Sequence, residues 1–334
     1  MKETNRLASK TDRSRSAASI LLILTLLSIL AFFYGNARGT VEIPFVRIWD
    51  LLLHPDGSME WKTIWNIRLP RMLLAALAGI NLAVSGSILQ GVMMNPLADP
   101  GIIGISSGAG LFGVFILVVR PDLIHLVPVS AFVGAMLAAG LIYILAWKQG
   151  IQPMRIILAG VAVSALFSAG LSATLVFFSD RVHGALAFMN GSFSARSWQE
   201  VQLILPYTVG GLCASLLLIK PLNILILGDS TARSLGLNVE RTRLLSTALA
   251  ALLAASAVSV AGLLGFVGLI VPHTIRLLCG NDYKSLIPGS ALLGAALLMY
   301  CDTLARTIFS PREIPVGIIM SILGVPFFLY LLRR

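Results

Sequence analysis

The chain has 334 residues, of which 57% are hydrophobic and 12% charged, against about 45–50% and about 25% in soluble domains. That composition excludes a water-soluble globular enzyme. The formal charge of +10 is no nucleic-acid footprint either, because the basic residues are scattered over many segments instead of forming one stripe.

The apolar residues are gathered into runs of about 17 to 25, each long enough to cross a hydrocarbon core of about 30 Å as a helix. A backbone in lipid must satisfy its own hydrogen bonds, and strands do so only in a closed barrel whose segments alternate over about ten residues. These runs do not alternate, so the expected fold class is an all-α integral membrane protein.

In chain order, residues 1–16 form a basic tail carrying Lys2, Arg6, Lys10, Arg13 and Arg15. The apolar run 17–34 follows it. This run is longer than a signal-peptide core, and Asn36-Ala37-Arg38 is a poor cleavage site, so the segment is read as the first span. Further runs cover 69–93, 101–119, 127–147, 155–178, 201–219, 244–262, 263–279, 286–309 and 314–331. The expectation is therefore about ten transmembrane helices in one membrane domain, 17–334, with both termini cytoplasmic. On that topology about 15 of the Lys and Arg residues fall inside and about 10 outside, the sign that the positive-inside rule requires.

The second span carries Ala75, Gly79, Ala83, Ser87 and Gly91 at four-residue spacing. Such a ridge admits a close helix neighbour, within the bundle or in another subunit. In the ninth span Asp302 and Arg306 share a helix face. They form either a neutralised pair or an arginine held ready for an external partner. The segment 220–243 contains Gly228-Asp229-Ser230-Thr231-Ala232-Arg233-Ser234-Leu235-Gly236. Here Asp229 or Ser230 is expected to cap a short helix ending at Gly236, with Ala232 and Leu235 exposed beside Arg233. It is either a plain connector or a surface for a soluble motor to grip.

No GxxxxGK[ST] loop is present, so any ATP must be bound by a partner. HExxH and GxSxG are absent, and His54, His125, His183 and His273 are isolated from one another. Cys213, Cys279 and Cys301 lie in or beside apolar runs without metal-ligand spacing. No catalytic residue and no metal site is expected.

The stretches Arg68-Leu69-Pro70-Arg71, Asn95-Pro96-Leu97-Ala98-Asp99-Pro100-Gly101, Gly228 to Gly236 and Gly265-Phe266-Val267-Gly268-Leu269-Ile270-Val271-Pro272-His273 resemble those of the FecCD permeases. These are the membrane subunits of type II ABC importers for iron-siderophores, haem and cobalamin, and the resemblance runs from the second span onward. It implies a pair of permeases, identical or paralogous, around a central path. Two ATPases holding ATP and Mg would sit below, and an extracytoplasmic binding protein above.

By the same resemblance, Arg68 and Arg306 meet glutamates of the binding protein, and Asn95, Pro96 and Leu97 form the cytoplasmic gate. Gly228, Asp229, Ala232, Arg233, Leu235 and Gly236 form the ATPase coupling surface. Gly160, Ser164 and Ser168 either line the path, as the resemblance implies, or serve ordinary helix packing. The cargo implied first is a ferric siderophore, with haem or cobalamin next. An ion-coupled secondary transporter is the rival class; it would need midplane carboxylates or broken helices, and Asp302 is the only acidic residue inside an apolar run, with Asp99 near the start of another.

Overall fold

The computed structural model describes residues 2–39, 43–147 and 153–333. Arg334, which contributes to the basic count above, lies outside them. Sixteen α-helices are used below: α1 (Lys2–Ala37), α2 (Phe45–Leu53), α3 (Met59–Thr63), α4 (Leu69–Val92), α5 (Pro100–Ile103), α6 (Ile105–Val119), α7 (Val127–Ala146), α8 (Pro153–Phe177), α9 (Val182–Met189), α10 (Trp198–Leu217), α11 (Ile219–Leu225), α12 (Asp229–Ser234), α13 (Val239–Ala261), α14 (Val267–Cys279), α15 (Tyr283–Thr307) and α16 (Val316–Leu332). Among the described residues, seven helices are long and apolar enough to cross a membrane. Three shorter apolar helices, α6, α14 and α16, fall on the remaining expected runs.

Helix α4 is the axis of the bundle. It packs against α15, α13, α14 and α10, and nearly every residue from Leu69 to Val92 is buried. Lipid tails are as apolar as leucine, so helices associate here by van der Waals contact, which small residues maximise. The Ala75–Gly91 ridge serves this purpose inside the bundle. A Cβ on Gly79 would collide with the Gly294 carbonyl of α15, and one on Gly86 with the Gly268 carbonyl of α14. Ser87 donates to Ser290 of α15 at 2.9 Å, and the Tyr283 hydroxyl closes on the Ser87 carbonyl at 3.1 Å. Gly108 and Gly134 make the same kind of crossing between α6 and α7.

Three boundaries differ from the sequence expectation. Helix α1 reaches back to Lys2 and absorbs the basic tail. The second span starts at Met59, because a π-helical turn over Ile64–Arg68 joins α3 to α4. That wider turn accommodates Pro70, which has no N–H to give the regular ladder. The run 101–119 is broken: Asp99 caps α5 through the Gly101 N–H at 2.8 Å, and Gly104 at φ 103° starts α6 on a new axis. The expected division of the seventh and eighth runs is borne out: Gly262 (φ 76°) and Phe266 (φ 67°) separate α13 from α14.

The close crossing of α4 and α15 makes a prediction. Gly79→Leu overpacks it and lowers the melting temperature of the purified protein in detergent, at a cost of about 1–3 kcal/mol or more. Gly210→Ala on α10, where a Cβ meets nothing within 4 Å, leaves it unchanged. Equal melting temperatures for the two variants would contradict this account of the bundle axis.

Candidate functional site

The two ends of the bundle carry different chemistry. At the end where α2 lies, α1 terminates and its last carbonyls lack intrahelical donors. Arg68 donates to Asn36 O at 2.7 Å and Ala37 O at 3.3 Å. Arg306 donates to Gly35 O. Two guanidinium groups from other elements thus cap the negative end of α1, the favourable polarity for the helix dipole. Both arginines are buried, at 4% and 6% exposure. The structure therefore places the two residues of the expected docking pair together, beneath the surface.

Asp302 shares a helix face with Arg306, and the sequence leaves open whether the two form a neutralised pair or Arg306 is held ready for an external partner. The principal partner of Asp302 is Arg71, which grips both carboxylate oxygens at 2.8 and 2.9 Å. Arg306 Nε stands 3.9 Å from Asp302 Oδ2, outside hydrogen-bond range. The planar fork of Arg71 wins because it matches the carboxylate bidentately from across the helix interface.

Arg71 extends its remaining amine to Glu313 at 2.8 Å, and Glu313 accepts from Ser194 Oγ at 2.6 Å. Burial raises the Glu313 pKa, but the Ser194 hydrogen bond and the Arg71 charge outweigh it and hold the carboxyl below its usual range. This network ties α4, α15, the α9–α10 segment and the α15–α16 segment together. Sequence reasoning missed Arg71 and Glu313 as partners. Arg71 closes the quoted Arg68-Leu69-Pro70-Arg71 stretch, but nothing local marks a contact across 231 positions.

At the opposite end, α4 stops in a left-handed turn at Met94 (φ 47°), with Asn95 N–H returning to Gln90 O at 3.1 Å. Asn95 Oδ1 then accepts from the Leu97 N–H at 2.9 Å. Asn95 and Leu97 are half-buried and Pro96 exposed, and the segment forms a compact non-helical link between α4 and α5. Gly160 of α8 packs on the Ile103 carbonyl, and Ser164 lies beside Gly104. Both therefore serve the α8 to α5 contact, and Ser168 is the exposed member of the expected path set.

Helix α12 stands at this same end, and two local expectations change there. Ala232 is fully buried, not exposed, because the α12 face that carries it turns inward against α11 and α13. Asp229 does not cap the helix; Gly228 holds the N-cap position without a side-chain bond. The Asp229 carboxylate instead takes both amines of Arg243 at 2.9 and 3.0 Å. Leu235 is 59% exposed, Arg233 is exposed and paired with Glu240 at 3.2 Å, and Gly236 at φ 81° ends the element as expected. The motif thus offers one apolar and one cationic residue outward on a pinned base.

Residues 20–334 match the model of the FecCD transport family. The chain belongs to the FecCD transport family. It is similar to the Fe(3+)-citrate import system permease protein YfmE of Bacillus subtilis, with 41% identity over 100% of this chain and 98% of that one. The hemin transport system permease protein HmuU of Yersinia pestis is 42% identical over 93% of this chain and 94% of its own length. Among solved structures, an inward-facing ABC transporter of metal-chelate type superposes with a TM-score of 0.85 at 29% identity, covering 95% of this chain and 99% of that one. This FecCD protein is a multi-pass permease of the cell membrane, the transmembrane subunit of an ABC importer and not its ATPase. Membership in that class implies ATPase and binding-protein partners.

Two predictions follow from the ionic network. Arg71→Ala strips Asp302, 1% exposed, of its bidentate partner and leaves it only the longer contact to Arg306, at a cost of about 3–5 kcal/mol of stability. Arg71→Met with Asp302→Leu recovers most of it in thermal melts. The stabilisation that Glu313 adds over Glu313→Gln is fully present above the unfolded carboxyl pKa of about 4.3. It disappears as pH falls through the lowered folded value, so the two melting curves converge only in acid.

Proposed function

We propose that this FecCD permease imports a ferric chelate, a siderophore or citrate complex, delivered by an extracytoplasmic binding protein and driven by a separate ATPase that holds ATP and Mg. The observation that carries the cargo reading is the full-length similarity to a permease named for Fe(3+)-citrate import. Relatives named for iron(3+)-hydroxamate, at 38% identity, and for cobalamin, at 42% over 81% of this chain, define the alternatives together with hemin.

In this reading the chain has ten spans, with both termini and α12 cytoplasmic. Gly228, Asp229, Ala232, Arg233, Leu235 and Gly236 make the coupling element. Only Arg233 and Leu235 project far enough to enter a groove on the ATPase, while Asp229 and Ala232 hold the element to α11 and α13. Motion of α12 is passed along α13, whose buried face packs on α4. The Asn95-Pro96-Leu97 hinge at the end of α4 opens or closes the cytoplasmic exit. The path lies between this permease and a second copy or paralogue, with Ser168 facing it.

At the outer end, glutamates of the binding protein address Arg68 and Arg306. Because both guanidinium groups cap α1, docking must exchange helix carbonyls for carboxylates, a stronger charge-assisted acceptor. Docking would thereby loosen the end of α1.

Uptake of radiolabelled iron on a panel of chelates, beside hemin and labelled cobalamin, tests the cargo in cells with and without the gene. Loss confined to ferric citrate or a ferric siderophore is expected. Loss confined to hemin or cobalamin would overturn the cargo while keeping the importer. Arg233→Glu tests coupling: uptake falls about tenfold or more, as expected when an interfacial charge is reversed, while the assembled permease is still recovered. Undiminished uptake removes Arg233 from the coupling surface.

A further inference from the structure

A cavity of about 150 Å³ lies between α7, α8 and α13, near the end of the bundle that carries α12. Its wall is almost wholly apolar, built by Ile105, Met136, Ile156 and Ala251. Gly140 on α7 and Leu244 and Ala248 on α13 also line it, and all three are exposed. The cavity therefore opens sideways between two membrane spans. The mouth is continuous with the apolar outer face of the bundle, where Leu137, Leu141 and Ile144 of α7 and Leu245 of α13 are exposed. A Cβ on Gly140 would meet nothing within 4 Å, so this glycine leaves the entrance clear.

Two hydroxyls interrupt the apolar wall. The Tyr143 and Thr247 hydroxyls interact with each other but not at ordinary hydrogen-bond geometry, and Thr247 is only 6% exposed. Buried hydroxyls that have only each other at strained geometry are poorly satisfied, which costs free energy, and a group entering the cavity would relieve that cost. The rim also has the composition of a membrane boundary. Trp147, 51% exposed, stands one turn beyond Tyr143 with ring centroids 6.5 Å apart, and tryptophan favours the headgroup level. Arg155 precedes Ile156 in the first turn of α8, and Arg241 lies one turn before Leu244 on α13.

We propose that this cavity seats one acyl chain of an anionic phospholipid from the adjoining leaflet. The glycerol ester oxygens accept hydrogen bonds from Tyr143 and Thr247, and the phosphate lies toward Arg155 and Arg241. The apolar wall requires a hydrocarbon, the hydroxyls require an acceptor close to it, and the two arginines require a negative head; a phospholipid joins all three in that order. The chain would also act as a wedge. Ile156 belongs to α8, and Ile103, at the end of α5 and close to the Asn95–Leu97 hinge, also lines the cavity. An occupant would therefore hold α8 and α5 apart from α13. That this leaflet is the cytoplasmic one rests on the topology proposed above.

The test uses the full-length permease in vesicles containing phosphatidylglycerol with a photoreactive group on the acyl chain, followed by peptide mapping. Labelling concentrated in segments 136–143 and 244–251, and competed by unmodified phosphatidylglycerol, is expected. Labelling spread evenly along the exposed faces of all spans would overturn the proposal. Ala248→Phe and Gly140→Leu close the mouth from opposite walls, and each should abolish the concentrated label. Thr247→Val, which keeps the shape and removes the hydroxyl, should reduce it severalfold. Undiminished labelling in a folded mouth-closing variant sinks the site. Competition by phosphatidylcholine as effective as by phosphatidylglycerol sinks its anionic specificity. None of these readings depends on the cargo, so a wrong cargo and a wrong lipid site are distinguishable.

Discussion

In hydrocarbon, burying one apolar side chain against another gains little over leaving it in lipid, so a bundle of spans depends on how closely its backbones approach. Here the approach is set by α4. Its glycines meet glycines of α15 and α14, and its polar side chains reach across at the same contacts. Asn81 donates to Ser256 of α13 at 2.9 Å, Ser85 to the Ala250 carbonyl at 2.7 Å and Gln90 to the Gly268 carbonyl at 3.1 Å. The hydrogen bonds and the close contacts reinforce one another, because a side chain as short as serine reaches a neighbouring helix only when that helix is already near. Helices α1, α7, α8 and α10 have no comparable all-round contact and keep most of their apolar surface outward. The bundle is thus a tight α4–α13–α15 centre carrying looser peripheral spans, the arrangement expected where some spans must move and others must not.

The charged groups follow the same division. Arg71 and Asp302 lie at one end of the central helices and fix α4 to α15, while Arg68 and Arg306 fix α1 to that centre. At the other end Arg243 fixes α12 to the start of α13. Each buried arginine serves a backbone end or a carboxylate that would otherwise be unsatisfied, so charge is present at both ends because helices end there. Function, on the proposed reading, uses these structural arginines a second time. A residue that caps α1 can report a docking event only because its capping bonds are replaceable.

Much of this was legible in the sequence, and for identifiable reasons. The apolar runs located the spans because span length is dictated by the membrane, and the Ala75 to Gly91 ridge marked the close-packing face because only small residues permit it. The Gly228 to Gly236 element was legible through its punctuation, yet its inward face was misjudged. Ala232 carries no sign of which way a short helix rolls, and its roll is set by Asp229 reaching Arg243 fourteen positions on. The break at Gly104 was hidden because α5 and α6 are both apolar, so hydropathy runs through a turn that only backbone conformation reveals. The Arg71 to Asp302 pairing was illegible because it depends on which spans are neighbours. The nearer candidate, Arg306, had the right sequence spacing but keeps only a 3.9 Å contact.

That last case shows why spacing alone misleads inside a membrane. An i,i+4 pair on a water-exposed helix settles weakly and reversibly, since both partners retain solvent. A carboxylate at 1% exposure has no solvent and takes whichever donor presents the best geometry, however distant in the chain. Arg71 meets it with two nearly parallel N–H groups, which leaves Arg306 free to turn toward the end of α1. This network is therefore an ordered set of preferences: Arg71 takes the bidentate bond to Asp302, and Arg306, with only a longer contact to that carboxylate, caps α1. On the proposed reading, the two guanidinium groups assigned to docking are ones that hold helix carbonyls, bonds that a partner's carboxylates could replace.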